Sequence, residues 1–121
     1  MSDWYEAPPR LIWVPDSVES VSTRGFVGRV DAPTSKAMLL SDIAAALEFP
    51  GWFGHNWDAL SDCLRDLSWL PDGPVTLLWT EPEALRSADP AAYEMAVDIL
   101  EDSAARATRP FYPVLIKSST A

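Results

Sequence analysis

Phe49-Pro50-Gly51-Trp52-Phe53-Gly54-His55-Asn56-Trp57-Asp58-Ala59-Leu60-Ser61-Asp62-Cys63-Leu64 is the stretch that decides the fold. It divides at Asn56. Residues 50–56 hold Pro50, Gly51 and Gly54 and read as a compact loop. Asn56 suits an N-cap, because its side-chain oxygen can accept from free N–H groups of a first helical turn. Beyond it, Trp57, Leu60, Cys63, Leu64 and Leu67 recur at helical spacing. The stretch therefore predicts a loop that delivers a helix running from Trp57 to about Leu67. Trp52 and Phe53 are adjacent in a glycine-flanked loop and cannot easily both point inward. Phe53 is expected in the core. Trp52 is expected at the surface, as an interface anchor beside carboxylates.

Upstream of this stretch, Gly25–Asp31 alternates like a strand, although Gly28 weakens it. Thr34 or Ser35 can cap a helix to about Glu48, with Leu39, Leu40, Ile43 and Leu47 on its apolar face. Downstream, Pro71-Asp72-Gly73-Pro74 is a turn signal. Val75–Trp79 is a short apolar run, the expected buried central strand. Glu81–Ser87 suggests a short helix. Asp89-Pro90 is an N-cap followed by proline at the first helical position. The helix from Ala91 to about Arg106 would turn Tyr93, Ala96, Val97, Leu100 and Ala104 to one side. Tyr112–Ile116 reads as a strand that Pro113 restricts to an edge or to a late start. Parallel strands need helical crossovers, and this order supplies them. The expected fold is α/β, a small three-stranded parallel sheet packed with about four helices. Leu11-Ile12-Trp13-Val14, bracketed by prolines, is a candidate extra N-terminal edge strand. Residues 1–24 are read as an extension and 25–121 as the domain.

The chain has 121 residues, which favours one domain. It carries 18 acidic and 9 basic side chains, a net charge of −9. That balance argues against nucleic acid and anionic membrane as partners, since both need a basic face. The charge is concentrated. Between Asp58 and Asp102 stand 11 acids, and the bases there are Arg65 and Arg86. A concentrated acidic stretch suggests a basic partner, although solubility alone accounts for many such stretches. Cys63 and His55 are the single cysteine and histidine, which excludes an internal disulfide and a two-histidine metal site. No apolar run reaches the roughly 20 residues of a membrane span. The N-terminus lacks the order of a signal peptide, so a cytoplasmic protein is expected.

No phosphate-loop, dinucleotide or His-Glu-x-x-His motif is present. Cys63 falls on the apolar side of its helix, where cysteine is usually inert packing rather than a nucleophile paired with His55. Asp58 and Asp62 form a carboxylate pair on one helix face. A helix surface offers little cleft in which to raise a catalytic pKa, so a small hydrolase using Asp58 and Asp62 is the third reading. Of the six tryptophans, all but Trp52 are expected to serve core packing.

The Phe49–Leu64 stretch resembles the barstar family, intracellular inhibitors of secreted guanyl-specific ribonucleases. The family pattern is a proline, a short spacer, two aromatics, Gly-x-Asn, then Asp-Ala-Leu-x-Asp-Cys-Leu. Pro50, Trp52, Phe53, Gly54, Asn56, Asp58-Ala59-Leu60 and Asp62-Cys63-Leu64 match it without a gap. The strand ending Leu77-Leu78-Trp79 follows in place, and the element order extends the likeness over roughly 25–117. The resemblance implies an inhibitor rather than an enzyme, with no cofactor or metal. It implies a 1:1 complex with a ribonuclease of basic active site, by a protein that is monomeric when free.

It further implies roles for particular residues. Asp62 matches the central aspartate, which occupies a substrate-phosphate position against catalytic Arg and Lys groups. Asp58 matches the second helix aspartate of the interface. Trp52 matches the loop aromatic that packs on the enzyme's catalytic histidine. Gly54 and Asn56 match a backbone contact and a helix-entry contact. Ser61 and Arg65 are likewise expected at the ribonuclease-binding surface, and Asp102, by alignment of the long helix, matches a peripheral acidic contact. Ser61 departs from the pattern, since relatives often carry tryptophan there. His55 stands where some relatives carry an acid. The alternative reading is an immunity or antitoxin protein of the same fold, directed against a different toxin.

Overall fold

A computed structural model describes residues 11–14 and 25–117. Their elements, in order, are β1 (Ile12–Val14), β2 (Phe26–Asp31), α1 (Lys36–Ala46) and α2 (Trp57–Asp66). They continue as β3 (Val75–Thr80), α3 (Glu83–Ala88), α4 (Pro90–Arg106) and β4 (Phe111–Ile116). The expected alternation of strands and helices is therefore present. The strands form one sheet in the order β1-β4-β3-β2, and every pairing is parallel. β1 is the fourth strand, added at the edge beside β4 with Ile12 opposite Val114. Residues 1–10, Trp4 among them, 15–24 and 118–121 lie outside the described residues.

Every residue of β3 and β4 is buried, the pattern of strands covered on both faces. Side chains alternate between those faces. Val75, Leu77, Trp79, Phe111 and Leu115 join the main core, with Leu39, Leu40 and Ile43 of α1 and Leu60, Cys63 and Leu64 of α2. Leu78, Tyr112, Val114 and Ile116 form a second cluster on the other face.

Three expectations need correction. β4 is not an edge strand, because it lies between β3 and β1. Pro113 is tolerated because the β1 pairing starts only at Val114, one residue beyond it. The buried stripe of α4 is also rotated from the one expected. Ala92, Ala96, Leu100, Ser103 and Ala104 are buried, while Tyr93 and Val97 are half-buried. Small residues there let α4 approach its neighbours closely. Trp13, finally, is 44% exposed, with the Lys117 Nζ 5.8 Å from its ring centre.

Gly28 earns its place within a strand. A Cβ there would stand 2.8 Å from Leu47 Cδ2 and 2.9 Å from the Ala46 carbonyl oxygen. The C-terminal end of α1 thus rests directly on the β2 backbone.

Candidate functional site

The loop before α2 is held from below. Phe53 is buried and meets Phe49 edge-on at 4.9 Å, and Phe49 meets Trp69 at 5.8 Å. Trp69 donates its indole N–H to the Leu47 carbonyl at 2.9 Å, which ties this aromatic cluster to the end of α1. The Phe53 N–H bonds the Pro50 carbonyl at 3.0 Å and closes the turn. With Phe53 committed inward, Trp52 is 65% exposed, the division expected from the glycine-flanked pair. His55 takes a left-handed backbone (φ 51°) and lays its ring 4.7 Å from that of Phe53. A Cβ at Gly54 would lie 3.0 Å from Asn56 Nδ2, the atom that donates to the Gly54 carbonyl. Glycine lets the loop close onto the helix start.

Asn56 caps α2 as its sequence position predicts. Its Oδ1 accepts from the Ala59 N–H at 2.8 Å. Asp58 stands in the first turn and Arg65 in the last, so both charges complement the helix dipole. Leu60, Cys63 and Leu64 are fully buried and fix the rotation of the helix. Each leucine contributes about 1.5–3 kcal/mol of burial. Asp58 and Asp62 are thereby left exposed on the opposite side, with Ser61 half-buried between them. Asp62 Oδ1 pairs with the Arg65 guanidinium at 2.8 Å, and the Asp62 side chain is still 67% exposed. The Arg65 Nε also donates to the Ser61 carbonyl at 3.4 Å. Burial, reinforced by the Asp62 and Asp66 carboxylates, pushes the Cys63 thiol up to about 11. A buried neutral thiol and an exposed His55 make no nucleophile–base pair.

Two residues that sequence reasoning missed secure the far end of α2. Leu67 ends the helix in a left-handed conformation (φ 52°). Thr108 Oγ1 donates to the Arg65 and Asp66 carbonyls at 3.3 Å, and the Thr108 N–H bonds the Arg65 carbonyl at 3.0 Å. Arg109 gathers the loop that follows. Its guanidinium donates to the carbonyls of Leu67 (2.9 Å), Leu70 (3.0 Å), Pro71 and Gly73 (2.6 Å). These partners are 36–42 residues away in sequence, so no local pattern announces them.

α4 packs alongside α2. Between them lies an open groove of about 450 Å³. Asn56, Trp57, Asp58 and Ser61 line it from α2, Met95 and Ile99 from α4, and Lys36 from α1. The Lys36 Nζ sits 5.1 Å from the Trp57 ring centre. Asp102 lies one turn beyond Ile99 and pairs with Arg106 at 2.7 Å. The structure thus gathers Trp52, Gly54, Asn56, Asp58, Ser61, Asp62 and Arg65 on one loop and helix, with Asp102 on the neighbouring helix. Among the described residues no group of three His, Cys, Asp or Glu side chains is arranged to hold a metal ion. No helix of the described residues is long and apolar enough to cross a membrane.

A model of the family described as Barstar (barnase inhibitor) matches residues 26–116. The chain belongs to the barstar family. The match covers about three quarters of the chain, from the first residue of β2 to the last of β4. It encloses the loop, α2, α4 and the Thr108–Arg109 brace of the barstar-like domain, and β1 precedes it. A search of curated proteins finds no match to the chain. The barstar family is one of inhibitors, not of catalysts, and its described partner is a ribonuclease.

Proposed function

We propose that this protein inhibits a secreted guanyl-specific ribonuclease by seating α2 and its preceding loop in the enzyme's active site. One observation carries the reading. The Phe49–Leu64 segment folds as an exposed tryptophan followed by a capped, rigidly braced helix whose solvent face offers Asp58 and Asp62. A ribonuclease active site binds RNA phosphates and is therefore cationic. Asp62 supplies an anion with no bond to cleave, and the enzyme's Arg and Lys groups replace Arg65 as its partners. Asp58 adds a second carboxylate one turn away. Trp52 packs on the enzyme's catalytic histidine, Gly54 and Asn56 contact the rim, and Asp102 meets a peripheral cation.

The acidic stretch around α2 accelerates encounter with a basic enzyme, and salt screens that effect. The complex is 1:1, the free protein is monomeric, and its action in the cytoplasm protects the cell that makes the nuclease. No cofactor takes part. The test is RNA cleavage by barnase and related small guanyl-specific ribonucleases, each mixed with the purified protein. Loss of cleavage at an equimolar ratio supports the reading. Undiminished cleavage across the panel overturns it in favour of immunity against a different toxin.

A further inference from the structure

We infer that the groove beside Ser61 is a specificity pocket, which takes one apolar side chain of the ribonuclease adjacent to its cationic active site. The inference rests on the function proposed above and names a feature that the partner must carry. Trp57, Asp58 and Ser61 share one side of α2, since residues three and four apart are neighbours on a helix. Met95 and Ile99 are likewise paired on α4 and form the facing wall. The small side chain of Ser61 leaves the space between these walls open.

That space, about 450 Å³, lies in the roughly 300–1,000 Å³ range of pockets that enclose small ligands. It is ample for one large side chain. Its lining surface is mainly apolar, with Trp57, Met95 and Ile99 among the residues that form it. Met95 is 45% exposed, and methionine adapts its shape to whatever it packs against. Five large apolar residues are exposed among the described residues, and two of them, Trp52 and Met95, border α2.

Charge at the rim selects the occupant. Asp58 lines the groove and favours a cation beside the inserted side chain, as a ribonuclease active site would provide. Lys36 lines the other side and already caps the Trp57 ring, so it repels a second cation there. The occupant is therefore an apolar side chain with a basic residue on the Asp58 side only. Repulsion at the wrong position is as much a part of specificity as attraction at the right one.

The experiment measures inhibition constants against whichever nuclease of the barnase-type panel the wild-type protein inhibits. Ser61→Trp fills the groove from inside, and Met95→Ala removes its wall without adding bulk. Both positions are accessible to solvent, and circular dichroism checks that each variant folds. The inference expects Ser61→Trp to weaken inhibition at least tenfold and Met95→Ala to weaken it about tenfold, which is ~1.4 kcal/mol. If Ser61→Trp binds equally well or more tightly, the groove is vacant in the complex and the inference fails. A loss with Ser61→Trp but none with Met95→Ala signals a surface clash and also refutes it. In both cases weakening by Asp62→Ala would leave the proposed function standing. If no nuclease is inhibited by the wild-type protein, the proposed function falls and this inference with it.

Discussion

Replacing Asp62 with alanine separates what this carboxylate does for the fold from what it does for binding. In the free protein Asp62 makes one ion pair, with Arg65 three residues on, and remains 67% exposed. An exposed helix pair of that kind contributes about 0.3–0.5 kcal/mol. Alanine recovers part of this through its higher helix propensity. The melting temperature of Asp62→Ala should therefore stay within about 3 °C of the wild type. In the complex the same carboxylate is desolvated against the enzyme's cations, and its removal leaves them unpaired. Truncating one partner of such a pair costs about 2–5 kcal/mol, a range drawn in part from barnase–barstar itself. The dissociation constant should rise at least about 30-fold, while Glu81→Gln, outside α2 and its loop, should leave it within threefold. Calorimetric melting and titration calorimetry with an inhibited ribonuclease provide the two readouts. Near-equal losses for Asp62→Ala and Glu81→Gln would mean that diffuse charge carries binding. A large melting shift with a matching loss of affinity would assign Asp62 to the fold.

Three further outcomes follow from particular contacts. Gly28→Ala places a methyl 2.9 Å from the Ala46 carbonyl oxygen, which cannot swing aside as a side chain can, so urea unfolding should show a loss of ~1–3 kcal/mol. Asn56→Ala removes the cap on Ala59 N–H and should cost ~1 kcal/mol, whereas Asn56→Asp should be nearly neutral by the same measurement. Cys63 concerns pH. Its thiol is raised from 9.0 to about 11 in the folded protein, so the neutral form favours folding. That contribution is complete below pH 9 and is lost as pH rises towards 11. Burial raises Tyr93 and Tyr112 in the same direction, so the readout is the difference between wild type and Cys63→Ala. The wild type should lose more stability than the variant across this interval, and parallel curves would contradict the assignment.

Local signals carried most of the fold because several elements announce their own ends. Asn56 and Asp89 cap α2 and α4 as their sequence positions suggest, and the apolar run from Val75 becomes a strand buried on both faces. The errors arose where a distant partner decides the outcome. Pro113 discourages a central strand locally, but it is tolerated because β1 begins pairing one residue later. The strand at Gly28 formed as expected, and what stayed hidden there was the reason for the glycine, which lets α1 settle on β2. The loop and helix of the candidate site were legible, down to the outward Trp52 and inward Phe53. The brace that immobilises them was not, because Thr108 and Arg109 reach carbonyls across the chain. Nor was the groove, since it requires α2, α4 and Lys36 to be set side by side.

The most direct test of the central claim is an amide NMR footprint of the protein bound to a ribonuclease that it inhibits. Inhibition through α2 and its loop predicts that the largest changes fall on Trp52, Gly54, Asn56 and the Asp58–Asp62 face of α2, with β1 and α3 unchanged. A footprint centred on β1 or α3, with α2 unperturbed, would contradict it.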